Sequence, residues 1–163
     1  SFLPACGDGA GDVNVRAGMA YTAFLSGVTL ANAGLGVVHG FASSVGGMFP
    51  IPHGVVCGTL LAECTRINIM RLREAGECGL PSLAKYSRAG EIIAGKGQLS
   101  VDDGCEALTE TLAAWTDALE IPRLGVYGMK AGEIDAVAAA TGNKNNPVGL
   151  GRDDLAAILE SRL

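Results

Sequence analysis

The chain has 163 residues, of which twelve are basic and seventeen acidic, and its formal net charge is −5. This length suits one domain, or one domain with a tail. Because phosphate binding needs clustered Lys and Arg, and the chain has no basic run and only 5% aromatic residues, nucleic acid is excluded as an expected partner.

The five cysteines are odd in number and show no C-x-x-C spacing, and nothing at the start resembles a signal peptide. We therefore expect free thiols and a cytoplasmic location.

The periodicity of apolar residues predicts an all-α fold, a bundle of six or seven helices. Alternating apolar and polar residues, which a strand would need, are absent, and Gly and Ala replace β-branched runs. Helix starts are indicated by the N-cap residues Asp12 and Ser100. The predicted elements in chain order are a flexible lead-in over residues 1–12, a long helix from about Val13 to Val37, one or two helical turns over Gly40–Ser44, a loop over Gly46–Pro52, and helices over Gly54–Arg73, Pro81–Ala94, Val101–Leu119, Ala131–Thr141 and Arg152–Leu163.

The middle of this pattern is uncharged and holds both histidines. From Ala17 to Ala62 there is no Asp, Glu, Lys or Arg, and His39 and His53 lie in this stretch. The two histidines are fourteen residues apart, on opposite sides of a Gly/Pro loop that would let the chain fold back and bring their rings together. The positive end of the helix after Pro52 would help keep the second ring neutral for metal coordination. Spacing alone leaves two readings open: a metal-binding pair in a buried site, or two structural histidines.

A membrane hairpin is the alternative interpretation of the uncharged stretch. Residues 17–38 are long enough to span a bilayer. However, this segment is rich in Ala and Gly, carries Thr and Asn, and lacks an aromatic belt, while the part that follows contains two prolines and a histidine. We therefore expect no membrane contact. The two uncharged helices should instead lie at the centre of the bundle.

Two cysteines follow the second histidine on the same predicted helix. Cys57 and Cys64 are two helical turns apart and so share one face. Small apolar thiols in this arrangement usually pack in a core. We therefore expect both to be core residues, without a redox or metal role.

Several segments together resemble the iron-containing alcohol dehydrogenase family. They are the run Ala33-Gly34-Leu35-Gly36-Val37-Val38-His39-Gly40, the pair Gly46-Gly47, the run Ile51-Pro52-His53-Gly54, and Asn145-Asn146-Pro147 before a final helix. The resemblance covers roughly Val13 to Leu163. Family members combine an N-terminal α/β domain that binds NAD(P) with an all-helical C-terminal domain that holds one divalent metal. The resemblance thus implies that residues 13–163 are an all-helical metal-binding catalytic domain, incomplete and without the nucleotide-binding domain.

The resemblance also implies roles for individual residues. The family's metal ligands are an Asp and three His; His39 and His53 match the last two, whereas the upstream D-x-x-x-H motif that supplies the others does not occur here. Many members carry a further histidine near the nicotinamide and substrate, and Ser43 stands at that position. Ser43 is thus a candidate cofactor-binding residue, although a hydroxyl cannot shuttle protons as imidazole does. No catalytic residue is identified. The remaining candidates, which would form either an apolar pocket wall or core, are Phe41, Met48 and Phe49.

The implied reaction interconverts a primary alcohol or diol with its aldehyde. The implied cofactors are Fe²⁺ or Zn²⁺, acting as a Lewis acid, and NAD(P), bound mainly by the missing domain. For the 163 residues alone we expect weak metal binding and no dehydrogenase activity, because two imidazoles leave a divalent metal short of ligands. The alternative function is a non-catalytic all-helical interaction module. In either case, apolar helix faces would favour a homo-oligomer or binding of a complementary fragment.

Overall fold

A computed structural model of the protein describes residues 2–163, and within that range it is helical with no β-strand. This confirms the predicted all-α fold. The described helices are α1 (Phe2–Ala5), α2 (Val13–Ala33), α3 (Val37–Met48), α4 (His53–Glu74), α5 (Leu80–Ala94), α6 (Val101–Ala118), α7 (Ile134–Ala140) and α8 (Arg152–Ser161). The chain divides into two compact units at Leu35–Gly36, and each unit is described by itself.

The first unit contains α1 and α2. Over the predicted flexible lead-in, the structure has α1 and a 3₁₀ turn at Asp8–Gly11, while Ser1 lies outside the described residues. The predicted N-cap of α2 is confirmed, because Asp12 Oδ1 accepts hydrogen bonds from the backbone N–H groups of Asn14 and Val15 at 2.7 and 3.4 Å. Flexibility of the lead-in stays a prediction.

The expectation that α2 is a buried central helix is wrong. None of its residues is buried, and Tyr21 and Phe24 are 64% and 67% exposed. A helix with a single charged residue, here Arg16, can lie in a core or at a surface, because its burial depends on what packs against it and not on composition alone. The helix also ends earlier than predicted, at Ala33, where Gly34 takes a φ of 71° that favours glycine.

The second unit is built around α4, which packs against α3, α5, α6 and α8. Val56, Leu60 and Ile67 of α4 are at most 3% exposed and belong to the main hydrophobic core. Residues of α3, α7 and α8 complete this core. Helix α4, whose first ten residues carry no Asp, Glu, Lys or Arg, therefore does occupy the centre that the sequence predicts for it.

The remaining predicted helices are confirmed with shifted ends. Ser100 caps α6 as predicted, with its hydroxyl oxygen accepting a hydrogen bond from the Asp103 N–H at 3.1 Å. The helix predicted over Ala131–Thr141 begins as a 3₁₀ turn at Ala131–Glu133 and becomes α-helical only at Ile134. Such a tightened first turn is common at helix ends.

No single described helix is both long and apolar enough to cross a membrane. Helices α2 and α3 meet the length and composition criteria only when they are taken together, across the break that separates them.

An ion pair joins α8 to the end of α4. The Asp154 side chain is 8% exposed and accepts hydrogen bonds from Arg71 Nε and Nη2 at 2.9 and 2.7 Å. Arg71, with the Gly151 N–H, holds the pKa of Asp154 below its ordinary value. The carboxylate therefore stabilises the fold above the unfolded-state pKa of about 3.9, and this contribution disappears as the pH falls through the lower folded-state pKa.

We predict that D154N lowers the free energy of unfolding by about 2 kcal/mol at pH 7, because a buried charged hydrogen-bond acceptor is lost. The difference from the wild type should shrink below about pH 4, as the wild-type carboxyl protonates. Urea unfolding at a series of pH values measures both effects. The control is E74Q, which removes an exposed partner of the same Arg71 and should change stability by less than about 0.5 kcal/mol.

Candidate metal centre

The first histidine lies in the first turn of α3. This helix begins at Val37 and continues through Gly46 and Gly47 to Met48, so the prediction of a loop at these glycines is wrong. Helix propensity disfavours each glycine by about 1 kcal/mol. Burial of the apolar stripe Val37, Phe41 and Val45, each at most 1% exposed, outweighs that cost. His39 therefore sits on a packed helix and not in the break before one.

A pair of amide side chains, the buried Asn68 and the half-buried Asn146, holds the start of α3. Asn146 Oδ1 accepts a hydrogen bond from the Val37 N–H at 3.3 Å, and Asn146 Nδ2 donates to Asn68 Oδ1 at 2.6 Å. Asn68, on α4, is 5% exposed and also donates to the Tyr86 hydroxyl at 3.2 Å. Backbone N–H groups at a helix start lack intrahelical partners and need such an acceptor. The pair thereby ties the start of α3 to α4.

A close backbone approach holds the next turn of α3. A methyl group added at Gly40 would overlap the carbonyl oxygen of Gly142, which follows α7. One turn further on, Ser44 Oγ and Thr141 Oγ1 are hydrogen-bonded at 2.6 Å. Because Gly40 directly follows His39, this contact limits where the imidazole can lie.

The structure brings the two predicted histidines together. His53 is the first residue of α4, and its ring centroid lies 5.3 Å from that of His39, with 52° between the ring planes. The predicted deep burial is wrong, because His39 is half-buried and His53 is exposed. His53 comes first in α4, directly after the loop, so no preceding turn of its own helix covers it.

The thiol of Cys57 lies beside the two imidazoles. Cys57 lies one helical turn after His53, and its Sγ is 3.4 Å from His53 Nε2. One ligand atom from each of His39, His53 and Cys57 lies within 4.8 Å of the others. Tetrahedral coordination at usual bond lengths places nitrogen and sulfur donors about 3.6 Å apart. The His53–Cys57 distance thus already suits a shared metal ion.

The electrostatic environment favours uncharged donors. Partial burial lowers the pKa of His39, and the positive forms of His53 and Lys144 lower it further, so the ring is neutral at neutral pH. Burial raises the pKa of the Cys57 thiol, which is therefore protonated when no cation is near. No carboxylate belongs to this cluster of described residues.

The other candidate residues have varied locations. Ser43 is exposed, one turn after His39, and donates its hydroxyl hydrogen to the His39 carbonyl oxygen at 2.9 Å. Phe41 is fully buried and belongs to the core, so it forms no pocket wall. Phe49 packs partly buried against the same core, and Met48 is 48% exposed.

Sequence reasoning missed the position of Cys57. Cys64 is a core residue as predicted, but Cys57 is only half-buried and faces His53. The missed signal was the spacing His53-x-x-x-Cys57, which places both side chains on one helix face. The seven-residue spacing to Cys64 favoured a core interpretation instead.

Comparison with known proteins identifies the family. Residues 2–163 match the family model described as Fe-containing alcohol dehydrogenase family, C-terminal. The chain belongs to this family. Alcohol dehydrogenase 4 of Schizosaccharomyces pombe is 31% identical over 173 residues, covering 99% of this chain and 36% of the relative. The 1,3-propanediol dehydrogenase of Klebsiella pneumoniae is 34% identical over 101 residues, covering 57% of this chain and 26% of the relative.

Solved structures of the family share the fold. A crystal structure of 1,3-propanediol oxidoreductase matches 94% of this chain with a TM-score of 0.78 and 26% identity. An alcohol dehydrogenase from Oenococcus oeni matches 85% of it with a TM-score of 0.64 and 27% identity. The chain spans 39% and 35% of these two proteins, and about a third of the curated relatives' length.

We predict that G40A destabilises the protein by about 1–3 kcal/mol, because the added methyl group must displace the Gly142 backbone. The matched control is G46A on the same helix, where nothing lies within 4 Å of the added carbon. G46A should be neutral or stabilise the helix by up to about 1 kcal/mol. Chemical unfolding of both variants measures the difference, and equal stability would contradict the close approach described here.

Proposed function

We propose that the protein carrying this chain is an NAD(P)-linked dehydrogenase of small alcohols, and that His39 and His53 are two of its metal ligands. The observation that supports this most is the convergence of the two imidazoles at 5.3 Å in a chain of the Fe-containing alcohol dehydrogenase family. Purely structural roles for the two histidines do not explain why their rings meet at the starts of two helices with a thiol beside them.

The names of the relatives support the substrate class. Matching proteins include a 1,3-propanediol dehydrogenase, an NAD-dependent methanol dehydrogenase from Bacillus methanolicus and a lactaldehyde reductase from Escherichia coli. All three names refer to small primary alcohols, diols or aldehydes. We extend this class to the present protein, working in the cytoplasm.

The metal-binding residues are held in place by the fold. The amide pair and the Gly142 contact position His39, and the start of α4 positions His53. A divalent metal, Fe²⁺ or Zn²⁺, supplies Lewis acidity toward the substrate oxygen when it is bound. The neutral ring of His39 offers a lone pair without first losing a proton, and so favours coordination.

In the proposed reaction, the alcohol loses a hydride from carbon and a proton from oxygen, and yields the aldehyde. The nicotinamide of NAD(P)⁺ accepts the hydride. Ser43 is not the proton carrier, because its hydroxyl hydrogen is already donated to the His39 carbonyl oxygen. Its oxygen lone pairs remain able to accept a hydrogen bond, which suits a cofactor-binding role.

A second candidate, a non-catalytic interaction module, is favoured by the exposure of α2. The side chains of Tyr21, Phe24, Leu25 and Val28 on this helix are 43–67% exposed. Such a surface would be covered by a second copy of the chain or by a complementary fragment. Light scattering, metal titration and an alcohol oxidation assay on the protein with its upstream part restored separate the two candidates: a helical assembly that neither binds metal nor turns over an alcohol would favour the module.

We predict that H39A and H53A each weaken Zn²⁺ or Fe²⁺ binding at least about tenfold, because each removes a direct ligand. Thermal shift or calorimetric titration with the added metal measures the effect. S43A is the matched control, being one turn from His39 and without a ligand role, and it should bind metal like the wild type. Metal binding that is insensitive to both histidine variants would contradict the proposal.

We further predict that the 163-residue chain alone shows no turnover with NAD(P)H and an aldehyde, whereas the protein with its upstream part restored does. In that protein, S43A should raise the KM for the nucleotide more than it lowers kcat, because it removes a binding contact. Turnover by the 163 residues alone would overturn the first expectation.

A further inference from the structure

We propose that Cys57 is a third protein ligand of the metal, so that His39, His53 and Cys57 together form a two-nitrogen, one-sulfur donor face. This inference rests on the proposed function for the two histidines and adds a residue that their assignment does not require. It also predicts the kind of metal that this face prefers.

The geometry of α4 supports the third ligand. His53 and Cys57 are four residues apart at the start of one helix, so both side chains project from the same face. The 3.4 Å between Nε2 and Sγ is close to the roughly 3.6 Å that a shared tetrahedral ion requires. Neither residue needs a backbone movement to bind one ion, since the helix already supplies the spacing.

The surroundings of Cys57 separate it from the other thiols. Cys64 and Cys105 are buried with a raised thiol pKa, and Cys6 and Cys78 are exposed. None of these four belongs to the histidine cluster, whereas Cys57 does. Cys57 is also half-buried, so a bound ion would be partly shielded from water while remaining reachable.

The chemistry of the donor set predicts its selectivity. On binding, the Cys57 S–H bond breaks, its proton goes to solvent, and the thiolate sulfur bonds to the metal, so one proton is released per ion. Thiolate and imidazole donors suit Zn²⁺ and chemically similar ions, whereas Mg²⁺ and Mn²⁺ prefer oxygen. This face should therefore favour Zn²⁺ over Mn²⁺, and the thiolate charge compensates part of the ion's positive charge beside Lys144.

The main alternative is that Cys57 only hydrogen-bonds to His53 and orients its ring. A serine hydroxyl could make the same hydrogen bond, so C57S would then preserve metal affinity. A ligand role predicts the opposite, since a neutral hydroxyl is a poor replacement for a thiolate. The variant C57S therefore discriminates between the two roles more sharply than C57A.

The experiment is a Co²⁺ titration of the purified protein, followed by competition with Zn²⁺. All proteins carry C6A and C78A, which removes the two exposed thiols. We expect a sulfur-to-cobalt charge-transfer band in the near ultraviolet with Cys57 present, its loss in C57S and C57A, and a drop in Zn²⁺ affinity of at least about tenfold in both. Bound Zn²⁺ should also slow alkylation of Cys57, measured by peptide mass spectrometry.

The outcomes are distinguishable. If H39A loses Co²⁺ binding while C57S keeps full affinity and no charge-transfer band is ever seen, the Cys57 inference is overturned and the histidine assignment stands. If even the protein that retains Cys57 and both histidines binds neither Co²⁺ nor Zn²⁺, both the inference and the proposed metal role are overturned.

Discussion

The position of the candidate metal centre depends on where α3 begins. A backbone N–H group that is shielded from water at a helix start must find a protein acceptor, and here Asn146 supplies one to the buried Val37 while its amide nitrogen donates to Asn68 on α4. Because α4 starts with His53, this one amide pair links the helix of the first imidazole to the helix of the second. Without it, the first turn of α3 would lose its acceptor, and the position of His39 in that turn relative to His53 would be less well fixed.

Close packing and a shared core complete this constraint. Gly40 allows α3 to lie against the Gly142 backbone. The next residue, Phe41, anchors the same helical turn in the main hydrophobic core. The two rings are thus positioned by the packing of their helices, and the ring of His53 also contacts Cys57. This arrangement resembles many metal sites, in which the surroundings of the ligands decide their geometry.

The sequence predicted the fold class, most helices and the meeting of His39 with His53. These features follow from local patterns: apolar periodicity, capping residues and a loop between two marked histidines. The sequence failed where packing decides. Gly46 and Gly47 are helical because the opposite face of α3 is buried, and α2 is exposed although Arg16 is its only charged residue. The thiol beside His53 was missed because the spacing of Cys57 fits a core residue and a ligand equally well, and only its neighbours distinguish the two.

The family assignment and the local geometry are independent observations, and both support a metal site at the two histidines. The family accounts for a metal and a nucleotide, while the cluster of two imidazoles and a thiol comes from the described residues alone. If all three donors bound one ion, its opposite side would stay open to further ligands and to substrate.

The most direct measurement is the anomalous diffraction of crystals grown with Zn²⁺. We expect one strong peak between the rings of His39 and His53, about 2.0–2.1 Å from a nitrogen of each and about 2.3 Å from Cys57 Sγ. A peak elsewhere in the protein, with the two imidazoles turned away from each other, would contradict this expectation.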